Sequence, residues 1–433
     1  MGQNKQAAGF DIEYRVPFPI PEATNKNTLV LPVGGKRYLL DGLGKTIMVG
    51  RVKHDGTADL TFGLRGFSSH NISEFTDDFP RAAGLIPQPD GGVIAGLYNA
   101  SELGLARFKL NGEVDMSFGQ AGTVFHKVEK MSASSAGRGR NNDGRQDSVF
   151  SSAVLAALAP AKDGKFYGVL GNRLAGDFSL LRCLANGALD AEFNGTGIVS
   201  VKHPTLDTNA PAVIASADGG AVVVGTLGDL SVGMRGFFCR YKADGSLDKT
   251  FGEEGYSIFD SVSAGIPHPE LSQMELAHVA IMADGGYVAC GYLTARDPWR
   301  FYGMVVRIDA TGRPEQSFNG GKPLLFELPD GVEVDFLEGG IAEMADGKVA
   351  VAGGAVTRNA GYQRQVLLVR YDAKGVLDPT FGEQGWRILA PFGDAVTNLR
   401  GLQVDLEQKV LVSGDSGPDN NPSSMKGFAA QLD

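Results

Sequence analysis

The sequence predicts an all-β chain built from repeated four-stranded units, and three observations carry that prediction. A phrase of the form Gly-x-x-Asp-x-x-Phe-Gly-x-x-Gly recurs six times, anchored at Gly56, Gly112, Gly187, Gly245, Gly312 and Gly375. Short apolar runs bounded by Asp-Gly-Gly and similar turns precede the copies, with no helical periodicity between them. Glycine makes up 60 of the 433 residues, about twice ordinary usage, as a chain of many tight turns requires.

The fourth unit reads most clearly. Ala212–Ala217 is a short apolar strand, Asp218-Gly-Gly a hairpin turn, and Ala221–Gly225 a second apolar strand. Gly236–Tyr241 is a third strand, and the phrase leads into a fourth at Tyr256–Phe259. Four antiparallel strands repeated at intervals of about 55–75 residues are the pattern of a β-propeller. Complete units are expected at 29–73, 82–128, 154–203, 212–261, 275–328 and 336–391, with a seventh at 399–433. The seventh has no phrase after its third strand. The segment 10–16 resembles the strand that follows the phrase elsewhere. The expectation is therefore one seven-bladed domain spanning 1–433, its ring closed by that N-terminal strand completing the last blade, which would remove an open sheet edge.

Three residue types recur with the phrase. An arginine stands five residues before each first glycine (Arg51, Arg107, Arg182, Arg240, Arg307, Arg370), and an acidic residue three after (Asp59, Asp115, Asp190, Asp248, Glu315, Asp378). A phenylalanine follows at Phe62, Phe118, Phe193, Phe251, Phe318 and Phe381. Residues present in every copy build the copy. The phenylalanine is expected to bury the long turn against its blade, and the arginine and aspartate to pair. A calcium-binding acidic ring is disfavoured, because one or two carboxylates among glycines do not make a calcium loop.

The stretch Arg240-Tyr-Lys-Ala-Asp-Gly-Ser-Leu-Asp-Lys-Thr-Phe-Gly-Glu-Glu-Gly resembles the bacterial delta-60 repeat, a likeness that extends over nearly the whole chain. That family is a propeller-type repeat of bacterial proteins, often large exported ones, with no general activity assigned. Two copies depart from it: Asn194 follows Phe193, and the fifth has Glu315, Asn319 and a displaced Gly321.

Charge and composition exclude several classes. With 40 basic and 50 acidic residues and no basic run, the footprint of a nucleic-acid binder is missing. No apolar run is long enough for a membrane helix. The first residues, MGQNKQAAGFDIEYRV, have no signal-peptide pattern, so the expectation is a cytoplasmic protein or one exported without an N-terminal signal. Cys183, Cys239 and Cys290 lie in apolar strands and read as buried free thiols.

Function is sought where the copies differ. Turns between first and second and between third and fourth strands are uniform; the other connections vary and open on the opposite face. The longest is the Ser/Gly/Arg/Asn-rich insertion at 129–150, read as a surface loop. Another connection carries His268, and the fifth unit holds Arg296, Asp297, Trp299 and Arg300 in one loop. Tryptophan beside arginine is a common pairing at binding surfaces. The sixth unit adds Tyr362 and Arg364.

Catalytic motifs are not persuasive. Gly414-Asp-Ser-Gly-Pro lacks the second glycine of the protease segment it echoes, and Gly42-Leu-Gly-Lys-Thr46 lacks the first glycine of a phosphate loop. The six histidines show no metal-ligand spacing, and no cofactor or metal is implied. The leading expectation is a non-catalytic binding or scaffold propeller with a protein partner on its loop-rich face. A carbohydrate-binding lectin is the alternative, and an enzyme with its site at the channel mouth the third reading.

Overall fold

The computed structural model describes residues 12–15, 29–33, 36–76, 80–99, 101–128, 158–172, 177–228, 233–266, 272–296, 299–328, 332–357, 363–390, 394, 396–405, 407–419 and 426–432. After β1 (Ile12–Arg15), the strands β2 (Leu29–Val33), β3 (Lys36–Leu43), β4 (Thr46–Val52) and β5 (Phe67–Asn71) pair in chain order as one antiparallel sheet. The same order recurs in β6 (Arg81–Pro87), β7 (Val93–Tyr98), β8 (Glu102–Phe108) and β9 (Thr123–Lys127), then in β10 (Leu158–Pro160), β11 (Phe166–Asn172), β12 (Asp177–Cys183) and β13 (Ile198–Val201). It recurs in β14 (Thr208–Ala215), β15 (Ala221–Leu227), β16 (Arg235–Tyr241) and β17 (Tyr256–Phe259), and in β18 (Ser272–Ile281), β19 (Tyr287–Arg296), β20 (Trp299–Ile308) and β21 (Leu324–Phe326).

The remaining strands are β22 (Glu333–Glu343), β23 (Val349–Thr357), β24 (Gln363–Tyr371), β25 (Trp386–Leu389), β26 (Val396–Val404), β27 (Val410–Gly417) and β28 (Lys426–Leu432). β22 to β25 form one antiparallel set and β26 to β28 another; a single parallel bridge, Arg364 to Val396, links the two. β1 runs antiparallel along β28, with Ile12 opposite Gln431 and Tyr14 opposite Ala429. Helix among the described residues is confined to short 3-10 turns such as Lys162–Gly164.

The second and third strands are largely apolar because both faces of the sheet are covered there, whereas fourth strands such as β5 are part-exposed. β15 is buried along its full length. Its Val222 and Val224 pack with Phe251 and Leu276 toward the following sheet, while Val223 and Leu227 pack with Tyr167 and Phe193 toward the preceding one. First strands of successive sheets lie side by side, and β2 lies against both β6 and β26. Leu39 and Val52 of the first sheet meet Leu411 and Ala429 of the last set in a small core of their own.

A second regularity was not read from the sequence. The pairing of first with second strands shifts register between Ala82 and Gly84, Asn209 and Ala212, Leu276 and His278, Asp335 and Gly340, and Leu399 and Gly401. Such bulges bend the inner strand and need close backbone approach. Gly291 allows it: a Cβ there would fall 1.8 Å from the Glu275 carbonyl oxygen.

Candidate functional site

The phrase is a latch between neighbouring sheets as well as a turn. Arg51 Nε donates to Asp59 Oδ2 at 2.8 Å, and Asp59 Oδ1 accepts from both the amide and the hydroxyl of Thr61. Burial pushes the Asp59 carboxyl up, but the Thr61 donors and the Arg51 guanidinium outweigh it and hold it below the usual carboxylate range. The same pairing joins Arg182 to Asp190, Arg240 to Asp248 and Arg370 to Asp378. Each guanidinium also lies over its own phenylalanine, Arg240 at 4.8 Å from the Phe251 ring centre.

The other end of the arginine reaches the next unit. Nη1 of Arg51, Arg182, Arg240 and Arg307 donates to the carbonyls of Leu110, Ala243, Ala310 and Ala373. Each acceptor stands two residues before the first glycine of the following copy. A backbone bond runs beside it, from the amides of Gly63, Asn194, Gly252 and Asn319 to the carbonyls of Asn111, Asp244, Thr311 and Lys374. The following glycine packs on the preceding phenylalanine: a Cβ on Gly312 would fall 2.6 Å from the Gly252 nitrogen and 2.9 Å from the Phe251 ring. The phenylalanine is thus wedged at a junction, in contact with the next sheet as well as its own. In the second and fifth units the arginine reaches the hairpin aspartate, Arg107 to Asp90 and Arg307 to Asp284, both at 2.5 Å, and Arg107 also keeps Asp115 at 3.5 Å.

The loop-rich face is described in part. Arg296 and Trp299 close the β19–β20 hairpin opposite one another, but their side chains, together with Asp297, His268, Tyr362 and the insertion 129–150, lie outside the described residues. Arg300 is exposed and donates to Glu327, also exposed, at 3.1 Å. Arg364 is only 8 % exposed, lying beside Gly354 near the bridge to β26. Ser416 is fully buried within β27 and pairs in register with Thr397, and Gly42–Thr46 forms the β3–β4 hairpin with no helix after it. Neither geometry suits a nucleophile or a phosphate cradle.

Polar groups missed in the sequence are held at the same end. Glu102, fully buried at the start of β8, accepts from the Thr76 amide and hydroxyl, from Asn99 Nδ2 and from Lys127 Nζ. Burial raises its carboxyl, yet these donors together bring it down to about 2. Tyr292 donates its hydroxyl to the buried Glu275 at 2.9 Å. Asn398 and Arg400 donate to Asp415, buried on β27. No group of three or more His, Cys, Asp or Glu among the described residues is arranged to hold a metal. Cys183, Cys239 and Cys290 are buried thiols outside any disulfide, and burial pushes the Cys183 thiol up to about 12.

The uniform face carries a feature of its own. Leu60 (71 % exposed), Leu64 (72 %), Leu110 (47 %) and Met116 (60 %) stand on the adjoining phrases of the first two units. Later copies replace them: Leu60 and Met116 correspond to Ala191, Lys249, Gln316 and Pro379, and Leu110 to Ala185, Ala243, Ala310 and Ala373. An open groove of about 800 Å³ lies at the edge of the fourth sheet, between His203, Tyr256, Ile258, Lys249 and Arg313.

Two segments, residues 88–118 and 345–381, match the family described as domain of unknown function (DUF5122) beta-propeller. Each match runs from the first hairpin turn to the phenylalanine of the phrase. The all-β architecture and these matches together define a propeller-type repeat protein. No curated protein matches the chain. Among solved structures it is similar to extracellular domains 1-2 of Drosophila Semaphorin 1b, at 10 % identity and a TM-score of 0.48, covering 99 % of this chain and 87 % of that one. It is also similar to a protein of unknown function from Dyadobacter fermentans, at 11 % and 0.47, covering 98 % and 99 %. A gluconolactonase from Xanthomonas campestris follows at 12 % and 0.37, covering 96 % and 100 %. Neither partner nor reaction passes to this chain from such distant likenesses. No helix among the described residues is long and apolar enough to cross a membrane.

Proposed function

We propose that this chain is a seven-bladed propeller of the delta-60 type, closed by β1 as the fourth strand of its last blade, that acts as a non-catalytic binding or scaffold module for a protein partner. The pairing of Ile12–Arg15 with Phe428–Gln431 and the core shared by Leu39, Val52, Leu411 and Ala429 support the closure. The observation that carries the function is the exposed set Leu60, Leu64, Leu110 and Met116. Large apolar side chains exposed on two adjoining phrases, at positions that later copies fill with small or mostly polar residues, favour a contact surface. Arg296, Asp297, Trp299, Arg300, His268 and Tyr362, assigned to the loop-rich face from the sequence, are the second candidate contact region; Arg364, expected there too, is buried.

The test is an affinity pull-down from the source cells, comparing wild type with Leu60→Ser/Leu64→Ser/Met116→Ser and with Trp299→Ala/Arg300→Ala/Tyr362→Ala. Circular dichroism establishes that all three are folded. A protein retained by wild type and lost from the apolar-face variant supports the reading. Loss from the Trp299 variant alone moves the contact to the loop-rich face. Identical recovery from all three, or none, rejects both surfaces and leaves the glycan and enzyme readings to be screened.

A further inference from the structure

Each repeat arginine faces a fixed place on its neighbouring second strand: Arg51 lies opposite Tyr38, Arg182 opposite Tyr167 and Arg240 opposite Val222. In the last set that place belongs to Gln431, opposite Leu411, so β28 has no arginine where every phrase-bearing unit has one. The first sheet departs in a complementary way. The residue opposite the position after the arginine is Val93, Phe166, Ala221, Tyr287, Val349 or Val410 in the other second strands, but Arg37 in β3. An arginine in a slot otherwise filled by apolar and aromatic side chains is costly unless partners hold it, and Arg37 is 4 % exposed.

Its partners repeat the latch geometry. Arg37 Nη1 donates to the His54 carbonyl at 2.9 Å. His54 stands two residues before Gly56, the place held by Leu110, Ala243, Ala310 and Ala373, whose carbonyls accept from the arginine of the preceding unit. Nη2 donates to Gln431 Oε1 and lies 3.5 Å from Asp405 Oδ2, in the turn before β27. The carbonyl that an arginine at 431 would reach is thus met by a guanidinium from the opposite side of the same junction.

We propose that Arg37 is the seventh latch arginine, supplied by the first sheet in place of Gln431, and that it straps the first and last sheets together. This rests on the reading that those sheets close one ring. Across the same boundary the described apolar contact is small, comprising Leu39, Val52, Leu411 and Ala429, so the polar strap carries weight that larger cores carry at other junctions.

An exchange of the two residues tests it. Arg37→Val installs the residue of the second, sixth and seventh units, and Gln431→Arg restores the arginine of the other third strands. Arg37→Val is expected to lower the melting temperature by about 3–5 °C, from the usual cost of breaking a buried charged contact spread over a chain of this length. Gln431→Arg alone is expected to lower it as well, by placing two guanidinium groups at one node. Arg37→Val/Gln431→Arg is expected to recover most of the loss, and recovery of folded protein counts equally if Arg37→Val alone fails to fold. Loss in Arg37→Val without recovery in the double variant overturns the stand-in role while leaving the closed ring in place. No change in either single variant overturns both.

Discussion

Glu102 offers the sharpest quantitative test of how the connections are held. It ties the exit segment of the first sheet, through Thr76, to Asn99 and to Lys127 at the end of β9. Its carboxyl falls from an ordinary value near 4.5 to about 2. A depression of that size corresponds to about 3 kcal/mol, at 1.36 kcal/mol per pKa unit. Because the folded value lies below the unfolded one, the contribution is complete above about pH 4.5 and is lost as pH falls toward 2. Unfolding entropy of about 2.1 cal/mol/K per residue gives roughly 0.9 kcal/mol/K for the whole chain. Glu102→Gln should therefore lower the melting temperature by about 3 °C at pH 6, and by less at pH 3.5, where wild type has already lost part of the contribution. Differential scanning calorimetry at the two pH values measures this. A deficit that is absent at pH 6, or larger at pH 3.5, would show that the carboxylate is not the anchor described.

Other perturbations address the latch and the junctions. Phe251→Ala should cost about 3–5 kcal/mol by thermal unfolding, as expected for a fully buried wedge, whereas Leu60→Ser should change stability by about 0.5 kcal/mol or less. Gly312→Ala, with φ +87° and its Cβ driven into the Gly252 backbone, should cost about 3 kcal/mol or more, while Gly195→Ala, with φ +72° and open space around it, should cost about 1 kcal/mol. Arg240→Met should remove the contacts to Asp248 and to the Ala310 carbonyl together, at about 3 kcal/mol. Deleting residues 1–17 should sharply lower the melting temperature, since it leaves β28 with an unpaired edge.

The sequence reading reached the all-β, propeller-type architecture because four-strand units and turn glycines repeat at fixed offsets. The recurrence of Arg, Asp and Phe marked them as structural, but their reach into the next unit was hidden. It depends on backbone carbonyls, which any residue can offer, as Leu110, Ala243 and Ala373 do. Glu102 escaped notice because a single carboxylate near a strand start looks solvent-facing until its donors are assembled around it. Arg37 and the apolar set at Leu60, Leu64, Leu110 and Met116 were legible in principle: both emerge when the copies are compared position by position for what differs. Variation inside the uniform turns is masked by the constancy of the Gly, Asp and Phe positions around it. The bulges of the first strands leave only scattered small residues in the sequence, with no periodic mark.

The closed ring is tested most directly by cross-linking. Tyr14 and Ala429 stand opposite each other in the register of β1 with β28. With the ring closed, Tyr14→Cys/Ala429→Cys should form an intramolecular disulfide under mild oxidation, detected by peptide mass spectrometry, and the cross-linked protein should melt at a higher temperature than its reduced form. The native thiols, buried in β12, β16 and β19, should remain unmodified. Failure of the pair to cross-link in a folded protein would contradict the closure, and equal cross-linking of Glu13→Cys with the same partner would contradict its register.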